Sequence, residues 1–209
     1  EGTIKANSIS KKGGRIFLSA KKGKIKNSGT MLANSSNFKG GYIEVTADKI
    51  EISEGSDLQA KGGKQGGKVL VGGSWQNSDK NIYQASNVIV EKNTEIDVSS
   101  IKYGKGGEIV VWSDIHNKAG KTSVKGLLSA KGGQYSGDGG RIETSGHALD
   151  INNIKVSTKS AKGKDGQWLL DPYNIEIANS GSSDYTANED DEIISASTLV
   201  SALASSNIT

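Results

Sequence analysis

The sequence predicts an all-β chain wound as a parallel β-helix (a β-solenoid), with a short helical tail near the C-terminus. Three observations predict it. Glycine pairs recur at 13–14, 40–41, 66–67, 106–107 and 139–140, and a single Gly166 extends the series. Each copy opens a short alternating apolar run. No helix-length periodic segment lies between the copies.

The runs share one register. They read Gly14-Arg-Ile16-Phe-Leu18, Gly41-Tyr-Ile43-Glu-Val45 and Gly67-Lys-Val69-Leu-Val71, then Gly107-Glu-Ile109-Val-Val111, Gly140-Arg-Ile142-Glu-Thr144 and Gly166-Gln-Trp168-Leu-Leu170. The second and fourth positions after glycine are apolar, with Thr144 the one weak member. Alternation of period two sends one row of side chains inward and one outward. β-Branched residues suit such strands. The glycines supply corners that need either positive φ or close backbone approach. One unit is too short to bury its own apolar face, so stacking on the next unit must do it.

Further alternating runs lie between the glycine units. They include Ile50-Glu-Ile52, Leu58-Gln-Ala60, Val88-Ile-Val90, Ile96-Asp-Val98, Leu149-Asp-Ile151 and Ile154-Lys-Val156, set apart by turns such as Glu54-Gly55 and Asn93-Thr94. Two or three short strands per repeat follow. The second glycines are spaced 27, 26, 40, 33 and 26 residues apart. The two longer repeats therefore carry insertions, expected at Ser74–Gln84 and Asp114–Thr122. The rival architecture, an antiparallel sandwich, would use two-residue Asn-Gly or Asp-Gly hairpin turns. Asp138-Gly139 and Asp165-Gly166 occur only as part of the repeat glycines, and the fixed register favours the solenoid.

The β-helix is expected over 1–177. An acidic polar loop or linker follows over 178–192. Over 193–209, Ser197 would cap a short helix bearing Leu199 and Leu203, and Asn207–Thr209 would begin a further strand.

Composition narrows the function. There is no cysteine, which excludes disulfide scaffolds, zinc fingers and thiol catalysis. No apolar run is long enough to span a membrane. No leader opens the chain at Glu1, so a signal peptide is expected to have been removed. All 26 Lys and Arg precede residue 169 against 16 acids, a net +10, while 169–209 holds seven acids and no base. Basic charge of this kind favours anionic partners, but beyond Lys21, Lys22, Lys24 and Lys26 it is scattered. Solvated faces are expected, and nucleic acid is not expected as a partner.

Few residues suggest chemistry. His116 and His147 lack an i,i+4 partner, and no serine sits in a Gly-x-Ser-x-Gly elbow. Asp114, Asp138, Asp150, Asp165 and Asp171 fall in different repeats, mostly at corners, without a paired carboxylate at strand spacing. Gly132–Gly140 lacks the calcium nonapeptide, and Glu189–Glu192 reads as a solvated acidic run. No catalytic residue, cofactor or metal is expected. Trp168 should be core, and Trp112 should face outward or cover a corner, with sugar stacking as the alternative role. Sequons at Asn34 and Asn207 are possible glycosylation sites.

The ordered series Gly66-Gly-Lys-Val-Leu-Val-Gly-Gly-Ser-Trp75, Gly106-Gly-Glu-Ile-Val-Val-Trp-Ser-Asp114, Gly139-Gly-Arg-Ile-Glu-Thr-Ser-Gly146 and Gly166-Gln-Trp-Leu-Leu-Asp-Pro-Tyr-Asn-Ile175 resembles the large exoproteins of bacterial two-partner secretion. Filamentous haemagglutinin-like proteins and Haemophilus high-molecular-weight adhesins are the members it is most like, over about residues 13–209. The resemblance implies a right-handed β-helix, secreted through an outer-membrane transporter partner to the bacterial surface. Members act as adhesins, haemolysins, haem-acquisition proteins or contact-dependent toxins; the expected role here is a shaft or display segment of an adhesin that contacts a host-cell receptor or glycan, and the lack of paired carboxylates leads to no enzyme being expected. A haem- or haem-carrier-binding exoprotein, using Ser74–Gln84, is the alternative. A polysaccharide-active β-helix enzyme ranks behind it. The family's secretion domain bears Asn-Pro-Asn motifs, and the single proline here is Pro172. The chain is thus expected to be either the shaft just beyond that domain or the rear of it.

Overall fold

The computed structural model describes residues 2–8, 13–179 and 192–209. The chain makes repeated passes over the same three faces. β1 (Thr3–Lys5) is followed by β2 (Arg15–Asn27) and β3 (Thr30–Leu32), then by β4 (Tyr42–Ile52) and β5 (Asp57–Gln59). The third pass is β6 (Lys68–Val71), β7 (Asn87–Val90) and β8 (Glu95–Asp97), and the fourth is β9 (Glu108–Trp112), β10 (Lys121–Val124) and β11 (Leu127–Ser129). The fifth is β12 (Arg141–Gly146), β13 (Ala148–Asp150) and β14 (Lys155–Ser157). β15 (Gln167–Pro172), β16 (Ile175–Ala178), β17 (Glu192–Ser195), the helix α1 (Ala196–Leu203) and β18 (Asn207–Ile208) complete it.

Every strand pairing among the described residues is parallel. The first face stacks the front halves of β2 and β4 on β6, β9, β12, β15 and β18. The rear halves of β2 and β4 lead into a second face of β7, β10 and β13. The third face runs β1, β3, β5, β8, β11, β14. β2 and β4 each bend through the first corner as one strand and so join two faces. Among the described residues these are curled parallel sheets with one short α-helix, compatible with a β-helix. The antiparallel hairpins of the rival sandwich do not occur among the described strands.

Register puts like residues on like. Ile16, Ile43, Val69, Ile109, Ile142, Trp168 and Ile208 form one inward ladder. Leu18, Val45, Val71, Val111, Thr144 and Leu170 form the next. The third face adds Met31, Leu58, Ile96, Leu128 and Val156, while Ile4 at the end of that row is exposed. Together with the second face they make one continuous apolar core.

The double glycines act by close approach. None of them has positive φ. A Cβ on Gly140 would stand 2.1 Å from the Gly107 carbonyl oxygen of the preceding pass, and one on Gly107 would stand 2.1 Å from that of Gly67. The second glycines Gly41, Gly67, Gly107 and Gly140 donate their N–H back across the corner, as Gly107 does to Val98 at 2.9 Å and Gly140 to Ala130 at 2.7 Å. The opposite corner uses conformation instead: Gly55, Asn93 and Asn153 have φ of 77°, 57° and 67°. Asparagine tolerates that region better than most residues.

The tail departs from expectation in one respect. Ser195, not Ser197, caps α1, its hydroxyl accepting from the Thr198 N–H at 3.2 Å. Ser197 lies inside the first turn. β18 pairs with β15 through Gln167–Asn207 and Trp168–Ile208. Of the acidic loop, residues 180–191 lie outside the described part. β17 begins at its last residue and pairs with β16.

Candidate functional site

Two features of the first face concentrate side chains with chemical potential. The first is a covered patch on its outer side. β4 runs through the first corner unbroken, and only His147 separates β12 from β13. The third and fourth passes instead insert 72–86 and 113–120 there. These are the expected insertions, though Lys121 and Thr122 already belong to β10. Both fold back over the outward residues of β6 and β9. Leu70, Val110 and Trp112 are buried as a second apolar cluster, packed by Tyr42, Trp75, Ile82 and Ile115. Covering each such side chain contributes roughly 1.5–3 kcal/mol.

Glu143 lies on β12 beside Val110 in the outward row and is fully buried. Its carboxylate accepts from the Gln76 backbone N–H at 2.8 Å and from the Ser145 hydroxyl at 3.0 Å. Burial pushes its pKa up to about 7; those two hydrogen bonds oppose the shift, and Asp171 and Glu108 add to it. Asp171, two pairs along, is also raised by burial. The Arg141 guanidinium lies 4.2 Å from the Trp75 ring and also pairs with Glu108. Glu108 in turn holds Lys68 at 2.6 Å. Gln76 and Asn77 take left-handed φ of 45° and 50°, which bends the insertion onto Glu143.

The second feature is a groove of about 580 Å³ running along the glycine ridge. The absence of Cβ atoms makes its floor. One wall is the residue that enters each glycine corner: the carbonyls of Lys39, Gln65, Lys105, Asp138 and Lys164 accept from Gly13, Gly40, Gly66, Gly106 and Gly139. The other wall is the first outward position of each strand, including Lys68, Glu108 and Arg141. An adjoining cavity of about 420 Å³ extends it past Arg15, Phe17 and Tyr42. The Phe17 and Tyr42 rings lie 5.5 Å apart, and Phe17 is 56% exposed. Arg15, Lys39, Lys105 and Lys164 enter no ion pair among the described residues.

The residues singled out from sequence fall elsewhere. Asn34 is half-buried, its Oδ1 accepting from the Lys61 N–H at 2.7 Å and its Nδ2 donating to Gln59 at 3.0 Å. Asn207 is exposed, and its Nδ2 donates to the carbonyls of Asp165 and Gly166 at 3.0 and 2.9 Å. Both amide nitrogens that a glycosyltransferase would use are thus engaged. His116 is exposed, and its N–H donates to Asp114 Oδ1 at 3.0 Å. His147 is buried, with Nδ1 2.9 Å from the Ile115 carbonyl and its ring stacked on Tyr173 at 4.6 Å.

Asp138, Asp150 and Asp165 turn an oxygen to the backbone N–H of Lys164, Asn152 and Ser160. No group of three metal-ligating side chains occurs among the described residues. Trp168 is core and Trp112 faces outward under the insertion, both as expected. Sequence reasoning missed Glu143 and the groove. Glu143 looks like a solvated outward residue until the insertion is laid over it. The groove is only the empty space beside a row of glycines.

No family model matches the chain, and no curated protein matches it. The structure is similar to the crystal structure of the HMW1 secretion domain from Haemophilus influenzae, with 34% sequence identity and a TM-score of 0.67. The similarity covers 82% of this chain and 43% of that one, so this chain spans less than half the length of the solved domain.

Proposed function

We propose that the chain is part of a secreted exoprotein of bacterial two-partner secretion, wound as a right-handed β-helix. The similarity to the HMW1 secretion domain carries this reading. It favours the rear of a secretion domain over the shaft beyond it. The absence of cysteine agrees with a chain that crosses a pore extended, since a cross-link would block threading. Coils that contact only their neighbours can fold progressively as they emerge.

The finer role is non-enzymatic display at the cell surface: a stiff stack that holds outward loops toward a host receptor or glycan. The partners of the whole protein would be its outer-membrane transporter and that receptor. Haem or haem-carrier capture is the second reading. Its expected loop, Ser74–Gln84, is folded down on Trp112 and Glu143, which argues against it.

Two experiments separate the levels. Substituting this chain for the matching stretch of the H. influenzae secretion domain should preserve release into the medium; retention in the periplasm would overturn the secretion reading. Purified chain should bind epithelial cells above an unrelated β-protein of equal charge. Background binding, with secretion intact, would remove the adhesion role alone.

A further inference from the structure

We propose that the corner loops between the third and first faces bind single-stranded nucleic acid, its bases stacking on Phe38, Tyr103 and Tyr135 and its phosphates meeting the lysines beside them. The passes gather here what the sequence scatters. Five successive loops, 34–40, 61–66, 99–106, 131–139 and 159–165, turn this corner. They carry nine lysines against two aspartates, a net +7 in a chain of net +3. Eight of those lysines are exposed and enter no ion pair among the described residues. Lys61 alone is paired, with Asp97 at 3.5 Å. The sequence-based expectation against a nucleic-acid partner rested on scattered charge, and the stacking removes that ground.

Aromatic rings interleave with the charge. The Lys64 N–H donates to the Phe38 carbonyl at 3.1 Å, the Tyr103 N–H to that of Gly63 at 3.1 Å and the Tyr135 N–H to that of Lys102 at 2.8 Å. Phe38, Lys64, Tyr103 and Tyr135 thereby fall on four consecutive loops of one column, with a pitch of about 4.8 Å. The Lys64 ammonium lies 5.5 Å from the centre of the Phe38 ring. The Tyr103 and Tyr135 rings lie 5.4 Å apart and are 51% and 58% exposed. A merely solvated face gains nothing from exposed tyrosines. A base gains a π-face to stack on, and its phosphate gains a cation.

A duplex fits worse. It hides its base faces, and its phosphates recur about every 3.4 Å along each strand, out of step with the loops. An unpaired strand adjusts its spacing. The inference goes beyond the secretion and adhesion readings and rests on neither.

The test is fluorescence anisotropy of the full 209-residue chain with labelled oligothymidylate. Binding is expected, and an abasic strand of equal length should bind about tenfold more weakly or worse. The double variant Tyr103→Ala, Tyr135→Ala should lose about tenfold on oligothymidylate and almost nothing on the abasic strand, with salt dependence and circular dichroism unchanged. The triple Lys64→Gln, Lys102→Gln, Lys105→Gln should weaken binding and flatten the slope of log affinity against log salt by about 2. The triple Lys49→Gln, Lys118→Gln, Lys121→Gln, equal in charge loss but away from the corner, should stay within twofold. Absence of binding, equal binding of the abasic strand or of duplex DNA, or equal loss in both lysine triples would each overturn the proposal. So would chondroitin sulfate or phosphatidylglycerol vesicles binding with the same dependence on the two tyrosines.

Discussion

Inside the core, the indole Nε1–H of Trp168 donates a 3.1 Å hydrogen bond to the hydroxyl of Thr144. Both residues are fully buried. Thr144 is the one polar member of its inward row, and the bond explains why. A buried indole N–H needs an acceptor, and the neighbouring pass supplies it. Replacing Thr144 with valine keeps the shape and strands the donor. The expected loss is about 1–3 kcal/mol, read as a lower urea midpoint at constant slope. In a Trp168→Phe background the same change should cost less. A Thr144→Val protein as stable as its parent would contradict this account.

Gly140 and Gly55 need to be glycine for different reasons. Gly140 has no room, since a Cβ there meets the Gly107 carbonyl oxygen at 2.1 Å. Gly55 has open space but a φ of 77°. Gly55→Ala should therefore cost only about 1 kcal/mol. Gly140→Ala should be far worse, and Gly140→Val should abolish folded expression. Comparable melting points for Gly55→Ala and Gly140→Ala would mean that the ridge is looser than its geometry.

Val71 is fully buried between Val45 and Val111. Lysine at this position places an unpaired charge in the stack, at a cost of several kcal/mol. Thermal unfolding by circular dichroism reads the effect. An unchanged transition would place this row outside rather than inside.

Glu143 links stability to pH. Its unfolded pKa is 4.5 and burial raises the folded value to about 7. Between those values the folded chain holds a proton that the unfolded chain has lost. Stability therefore falls as pH rises through that window and levels off above it, by up to about 3 kcal/mol. Asp171, raised in the same direction, adds to the slope. Urea unfolding at about pH 5 and about pH 8 should show a decline in the parent and a smaller one in Glu143→Gln. A parent slope no steeper than that of the variant would refute the buried-carboxylate assignment.

The inward rows were legible because period-two alternation in a fixed register leaves a direct trace: Ile43 and Val45 predict Val69 and Val71 one pass later. The two insertions were legible from the uneven spacing of the glycines. The strand Lys121–Val124 was not legible, because its inward Thr122 is polar. That hydroxyl is satisfied only by the Ser145 carbonyl at 2.7 Å and the Ser113 hydroxyl at 2.8 Å. Ser145 lies on the next pass and Ser113 at the other end of the insertion, so neither pairing shows in the strand's own pattern.

The chain order of residues alone thus set the repeat, the inward face and the places where passes lengthen, since each of these is a local pattern. Only the tertiary structure decided what the outward residues meet. It folded an insertion over Trp112 and Glu143, and it lined Lys39, Lys105 and Lys164 along one groove. The reason is that burial and charge spacing on an outer face depend on contacts between passes, which no single stretch of sequence contains.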